Sequence, residues 1–333
     1  MTHSPSGAPR ARGLSVSNEW TFRDIEATVM EGEEMRVVLL QGKGADISEV
    51  VFKPLNLNVL FRNPWGPRNP RLYPTIAPHA SAFRDYTGGG WSDILPNAGD
   101  ACTVKGARFA LHDETPLLNW SSSVEEASPD RVSALFRVKL VKYPFEIRKL
   151  VSLETGNRLT ITETVRNESR ERLPFSWLVH PAFSPAFAEP SAPLELHARW
   201  ISVMGDARTW DYPAFVDVDG IERDASLVPS AETKLDSTLV LGGLDAGRYS
   251  ITNPALGLRF TLAWDKEVFP FLWYYRSLGA EGYPFYGRSR FIALEPSTSR
   301  VSGLAAQVAA DDARWLEADE SLTTEMVATL SRV

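Results

Sequence analysis

The stretch SALFRVKLVKYPFEIRKLVSLETGNRLTITETVRN, residues 133 to 167, alternates with a period of two over three successive runs. In the first, Ala134, Phe136, Val138 and Leu140 share one parity, while Arg137 and Lys139 take the other. After Tyr143-Pro144 the pattern resumes with Phe145, Ile147, Val151 and Leu153. It returns after the turn signal Gly156-Asn157 with Leu159, Ile161 and Val165. Successive side chains of a strand point to opposite faces, so each run reads as a strand with one apolar face. Connections this short join antiparallel neighbours, which makes the stretch a three-stranded meander.

The same reading extends in both directions. MRVVLLQG (35–42) and SEVVFKPL (48–55) flank the turn-like GKGAD, and YSITN, LRFTLAW, RFIALE and TTEMVATL add strands toward the C-terminus. Helical pattern is confined to GLAAQVAADDARWLE (303–317), which reads as a short helix running into a loop. With 23 prolines and 22 glycines punctuating short strands, the chain reads as all-β, a sandwich of twisted antiparallel sheets with few short helices. The opening MTHSPSGAPRARG reads as a flexible tail over residues 1–13, followed by a single domain over residues 14–333, since no repeat or low-complexity linker divides the chain. RNPWGPRNPRLYPTIAPHA (62–80) is too long for a hairpin loop, and long loops in compact domains are often functional. GGGW (88–91) marks a turn or a close approach of backbone rather than a phosphate loop.

Composition narrows the function. Apolar content of 44% and charged content of 23% are those of an ordinary globular protein. The 35 basic against 42 acidic residues give a net charge of −7 without a basic run, which argues against nucleic acid or an anionic membrane as partner. A single cysteine, Cys102, excludes an internal disulfide and a cysteine-based zinc site. No apolar stretch reaches the length of a membrane span, and the expectation is a cytoplasmic protein, monomeric or homodimeric. Metal-ligand spacings such as HxH or HExxH, the GxSxG elbow, the P-loop and the dinucleotide fingerprint are all absent, so neither metal nor cofactor is expected.

What remains is a dispersed acid/base set. The chain has five histidines, at positions 3, 79, 112, 180 and 197. His112 opens LHDETPLLNW beside a strand end, and His180 stands before a proline in PFSWLVHPAF. Glu295 ends the strand RFIALE, on the face opposite Ile292 and Leu294, where it is free to look into a cleft. Taken singly, each has a structural reading: a lone histidine in a β protein is more often a satisfied core group.

In their order these segments resemble the aldose 1-epimerase (galactose mutarotase) superfamily. HDETPLLNW (112–120) matches a family segment that opens on histidine and closes on tryptophan eight residues later. TETVRNESRERLPFSWLVHPAF (162–183) matches a strand, a proline-containing turn and a motif of the HPYF type, and LEPSTS (294–299) matches a strand ending in Glu-Pro. The resemblance runs from about residue 30 to the end and implies a β-supersandwich. It further implies a cofactor-independent epimerase that opens an aldose ring and closes it on the other face of C1. The roles it implies are Glu295 as base on the anomeric hydroxyl, His180 as acid on the ring oxygen, and His112 as a hydrogen-bonding group near C1.

The candidate sugar contacts are Trp120, Arg84, Asn97, Asp265, Trp273 and Arg276, with Trp91 and Trp177 as further rings on which a sugar could stack. Three departures stand out: HDE replaces HG, HPAF replaces HPYF, and the family's sugar-binding aspartate has no match. Arg259, Asp265 and FPFLWYYRS (269–277) occupy that aspartate's region. Arg84, Arg108, Arg276 and Arg288 suit a phosphorylated or sulfonated sugar, because a guanidinium fork pairs with such groups. Two other classes stay open: a sugar-binding protein that has lost catalysis, and a lyase or hydrolase with a second carboxylate such as Glu114 or Asp265.

Overall fold

The computed structural model describes residues 13–72 and 82–333. The tail expected over residues 1–13 lies almost wholly outside that range, as do His79 and the end of the Pro-rich loop.

The meander forms as its periodicity dictates. Strands Arg131–Lys139, Phe145–Glu154 and Arg158–Asn167 pair antiparallel, with Ala134 opposite Val151 and Val151 opposite Ile161. These three carry the centre of an eight-stranded sheet, completed by Ser121–Ala127 on one side and by Ser321–Arg332, Leu258–Trp264, Arg248–Asn253 and Leu194–Glu195 on the other.

A second, twelve-stranded sheet lies across it. Its order is Ser15–Phe22, Ile25–Glu31, Met35–Leu40, Asp46–Phe52, Trp91–Ile94, Leu178–Phe183, Arg290–Ser297, Phe271–Leu278, Leu235–Gly242, Trp200–Val203 and Trp210–Asp211, with Leu57–Asn58 added beside Asp46–Phe52. Apolar side chains from both sheets merge into one core, in which Phe136, Ile147 and Val151 of the first face Val37, Ile47 and Leu294 of the second. Two layers with one shared core make the all-β sandwich of antiparallel sheets that the sequence reading anticipates.

Two short helices, Ala82–Tyr86 and Leu304–Ala309, are present among the described residues. The second begins the segment read as helix running into loop; the remainder forms the strand Arg314–Leu316. GGGW behaves as read. A Cβ on Gly89 would fall 2.3 Å from the Phe61 carbonyl oxygen and one on Gly90 2.6 Å from that of Ile47, and both residues have positive φ.

The outer face of the large sheet, turned away from the core, matters for function. Alternation along Arg290–Ser297 sends Ile292 and Leu294 inward, leaving Phe291, Ala293 and Glu295 outward. The described part of the Pro-rich loop, the helix Ala82–Tyr86 and the segment 279–289 fold over that face and make a cleft above it.

Candidate active site

Strand register alone assembles the central pair. Leu178 pairs with Ser297 and Ala182 with Ala293, so the same register sets His180 across from Glu295. On the flanks His180 pairs with Ser92, and Glu295 with Trp273. Ser92, His180, Glu295 and Trp273 therefore form one row across four adjacent strands, all on the outer face. Directly opposed residues on one face are the closest side-chain neighbours a sheet provides. Nε2 of His180 lies 3.2 Å from Oε1 of Glu295, with the Glu295 side chain 2% exposed and that of His180 14%.

His112 arrives from a loop and is locked by Gly99. Its Nδ1 accepts the Gly99 N–H at 3.0 Å, while its own N–H donates to the Gly99 carbonyl at 3.1 Å. In a neutral imidazole this leaves the proton on Nε2. The residue sits at φ 52°, a left-handed conformation uncommon for any residue but glycine, and such strain clusters at functional positions. Its ring packs edge-on against Phe83 at 4.9 Å and against His180 at 6.1 Å between centroids.

These groups open onto a cleft of about 400 Å³, the scale of a small-molecule site. Aromatic side chains wall it (Phe61, Phe83, Trp273, Phe285 and Phe291), and its polar lining includes Asn63, Arg84, Asp100 and Asp236. Phe61 immediately precedes the Pro-rich loop and Asn63 stands at its start, so the flank of that segment is part of the cleft. Ala182, the residue of HPAF where the family motif has a ring, lies in the wall.

Burial sets the protonation of the catalytic candidates. It pushes the Glu295 carboxyl well above the ordinary carboxylate range and the His180 imidazole down to about 4. His112 is held well below its ordinary value, first by burial and then by His180 and Arg84. A histidine whose folded pKa is depressed stabilises the fold above its unfolded value and loses that contribution as pH falls through the folded value. The protein is therefore expected to lose stability between about pH 6.5 and the folded value of about 4 given for His180. Melting temperature against pH checks this, and His180→Gln should flatten the slope; an unchanged slope would mean that His180 takes up its proton equally in the folded and unfolded chain.

Of the sugar contacts expected from sequence, Arg84 and Trp273 line the cleft and four do not. Arg276 stands three residues after Trp273 on one strand, so alternation sends it to the other face. There it is 1% exposed, with Nη1 and Nη2 donating to Asp217 at 2.7 and 3.0 Å. Asn97 is buried and spent on backbone: Nδ2 donates to the Asp100 and Ala110 carbonyls at 3.0 and 2.8 Å, and Oδ1 accepts the Leu304 N–H at 2.8 Å. Trp120 lies in the inter-sheet core, its Nε1 donating to the Thr115 carbonyl at 3.3 Å, and Trp91 and Trp177 share that core. Asp265 is exposed and caps a turn by accepting the Glu267 N–H at 2.9 Å.

Arg108 and Arg288 are exposed and outside the cleft. Glu114, a candidate second carboxylate, accepts the Val141 and Lys142 N–H groups at 2.8 and 3.0 Å instead of lining the cleft. Asn63, Ser92, Asp100 and Asp236 were not anticipated; topology brings them together from separate segments, and only the parity of WSDI beside the His180 strand could have pointed to Ser92.

A family model described as a domain of unknown function, DUF4432, matches residues 25–330. The chain belongs to that family. A search of curated sequences finds no match. Solved structures show the fold. A protein from Klebsiella pneumoniae provisionally named aldose 1-epimerase superposes with a TM-score of 0.74 at 13% identity, over 95% of this chain and 83% of that one. A galactose mutarotase-like protein from Clostridium acetobutylicum gives 0.65 at 13% identity over 96% and 99% of the two chains. A galactose mutarotase related enzyme from Lactobacillus acidophilus gives 0.63 at 16%, over 92% and 97%. This DUF4432 chain thus has the galactose mutarotase-like fold, and among its described residues no helix is long and apolar enough to cross a membrane.

Proposed function

We propose that this DUF4432 protein is a cofactor-independent aldose 1-epimerase acting on a neutral aldose. The observation that carries the reading is the His180–Glu295 pair, 3.2 Å apart on the floor of the cleft. Opening a cyclic aldose requires one proton to leave the anomeric hydroxyl and another to reach the ring oxygen. Both oxygens are bonded to C1, so donor and acceptor must be side by side, as two residues opposed across neighbouring strands are. General acid–base groups must lie within hydrogen-bond reach of the protons they move, and a small cleft directly over the pair provides that. The neutral His112 offers its Nε2 proton toward an oxygen near C1, and the aromatic walls suit the apolar face of a pyranose. The same pair argues against a binding protein without catalysis, which has no need of a buried carboxyl beside an imidazole.

The electrostatics favour a neutral sugar. Of the four arginines considered for an anionic group only Arg84 lines the cleft, and Asp100 and Asp236 line it too. Freshly dissolved α-anomers, neutral and phosphorylated, should be followed by NMR or polarimetry with and without protein. The expected result is accelerated anomerisation of a neutral aldose and no preference for its phosphate. Acceleration of none would sink the epimerase reading, and release of a cleaved product would replace it with a hydrolase or lyase. Arg84→Ala is expected to lower kcat/KM for the neutral sugar about tenfold, the value of one charge-assisted hydrogen bond of about 1.5 kcal/mol. A thousandfold loss confined to phosphorylated sugars would restore the anionic reading.

A further inference from the structure

We propose that the far end of the cleft is built for a C6 methyl group, so that the preferred substrate is a 6-deoxyaldose rather than an aldose with a C6 hydroxyl. Phe61, Ala182 and Phe291 set that preference. The inference deepens the epimerase reading and rests on it for the placement of C1.

Strand register places the sugar. Side chains on one face of a strand repeat every second residue, about 6.6 Å apart. One step along the sheet from the row of His180 and Glu295 therefore lies a second row on the same face. Ala182 and Ala293 stand opposite each other at its centre, with Tyr275 beyond Ala293 and Thr238 beyond Tyr275. On the other flank Phe61 donates its N–H to the Ala182 carbonyl at 2.8 Å. In the opposite direction the same two strands offer Leu178 and Ser297, which are buried and outside the cleft lining. A pyranose with C1 over His180 and Glu295 thus extends its far edge over the second row.

That edge meets hydrocarbon. Two alanines side by side leave room above the sheet, and the rings of Phe61 and Phe291 lean into it and stack, 4.3 Å between centroids and 18° from parallel. Phe285 packs edge-on against Phe291 at 5.6 Å, and these rings and both alanines form an apolar cluster apart from the main core.

The two sides of the cleft differ, and the ring oxygen decides which carbon meets which side. In the roles implied by the resemblance, His180 serves the ring oxygen and Glu295 the anomeric hydroxyl. C5 and its substituent C6 then fall on the His180 side, and C2 on the Glu295 side. Asp236 and Thr238 line the Glu295 side, beyond Trp273 and Tyr275, as partners for the C2 and C3 hydroxyls. The Arg84 charge is felt at His112 and Tyr275, which sets it over the C1 end and that same side.

On the His180 side the walls are Ala182 and Phe61, and the polar groups there are engaged by the chain itself. Nδ2 of Asn63 donates to the Thr87 carbonyl at 2.7 Å, Oδ1 of Asn63 is buried beneath the surface, and the Thr87 hydroxyl accepts the Gly89 N–H at 3.3 Å. Ser92 stands beside His180 in the first row, level with the ring oxygen and not with C6. A C6 hydroxyl here loses water without gaining a partner, whereas a methyl group buries its surface against the rings.

Matched pairs of sugars test this: 6-deoxyglucose with glucose, fucose with galactose, and rhamnose with mannose, each in D and L forms. In the pair that wild type handles best, kcat/KM for anomerisation is expected to favour the 6-deoxy member about 10–100-fold, the range in which an apolar pocket rejects an added hydroxyl. Dissociation constants from NMR titration of the same pair should favour it likewise. Ala182→Ser, which offers the C6 hydroxyl a partner, should narrow both ratios severalfold. Acceleration of the 6-hydroxy member as fast or faster overturns the inference and leaves the epimerase reading standing. Tighter binding of the 6-deoxy member with no acceleration sinks the epimerase reading and leaves the methyl subsite standing. Equal binding in every pair, or binding of neither member, overturns the subsite.

Discussion

Glu295→Gln is expected to lower kcat for anomerisation about 10²–10⁴-fold while the protein stays folded. The range is that of one general acid or base, and the loss does not depend on which of the two Glu295 is, since an amide neither releases nor accepts the proton. Folding should be preserved because a neutral glutamic acid and glutamine have nearly the same shape. At higher pH the variant should be the more stable protein. Burial raises the folded pKa of Glu295. Its contribution to stability is therefore complete below the unfolded value, about 4.3, and lost as pH rises toward the folded one. Glutamine has no such loss. Steady-state rates from polarimetry and melting curves at pH 6 and pH 9 check both halves. A near wild-type rate would remove Glu295 from the chemistry, and a collapsed fold would make its role structural.

That pair could be read from sequence because β structure converts spacing into direction. Glu295 stands one residue after Leu294 in an alternating strand, so it faces away from the core, and the family-like order of HPAF and LEPSTS brings His180 into the same account. Arg276 shows the same rule working the other way: three residues from Trp273 on one strand, the two cannot share a face. Asn97, Trp120 and Asp265 lie outside the cleft lining for another reason. Residue type shows that an amide, an indole or a carboxylate can bind a sugar, but not that backbone N–H groups, carbonyls or the core have already claimed it. The cleft residues that sequence did not reveal, Asn63, Asp100 and Asp236, meet only because loops from distant positions fold over one sheet face, and no local period encodes that.

Lys149→Met is expected to destabilise the protein by about 3–5 kcal/mol, the cost of breaking a buried ion pair by removing one partner. Lys149 and Glu163 interrupt two otherwise apolar strand faces and lie directly opposite each other in register, with 3.7 Å between Nζ and Oε1. Across the sandwich Lys149 also pairs with Asp93, the residue after Ser92, and nearby Lys43 pairs with Asp46; all five side chains are buried. Burial, opposed by Lys43, leaves the Asp46 carboxyl raised. Burial pulls Lys149 down, but Asp93 and Glu163 outweigh it and hold the ammonium above its ordinary value. Burial and the neighbouring Asp93 push Glu163 well up. Two lysines and three carboxyl groups thus share one buried network between the sheets. Removing Lys149 leaves Asp93 buried without its cation, so the variant's deficit should grow as pH rises and the unpaired carboxyl is asked to ionise. Urea denaturation at pH 5 and pH 8 measures both effects, and a loss under about 1 kcal/mol at both would show that water reaches the site. The triple variant Lys149→Met, Asp93→Leu, Glu163→Leu removes every uncompensated charge and should recover most of the stability, as apolar replacement of buried ion pairs often does. Its kcat then decides what the network is for. Asp93 faces the core from the strand whose next residue outward, Ser92, flanks His180, so a stable but slow triple variant would mean that the ionic contact between the sheets holds the His180–Glu295 row in register, and a fast one that it serves stability alone.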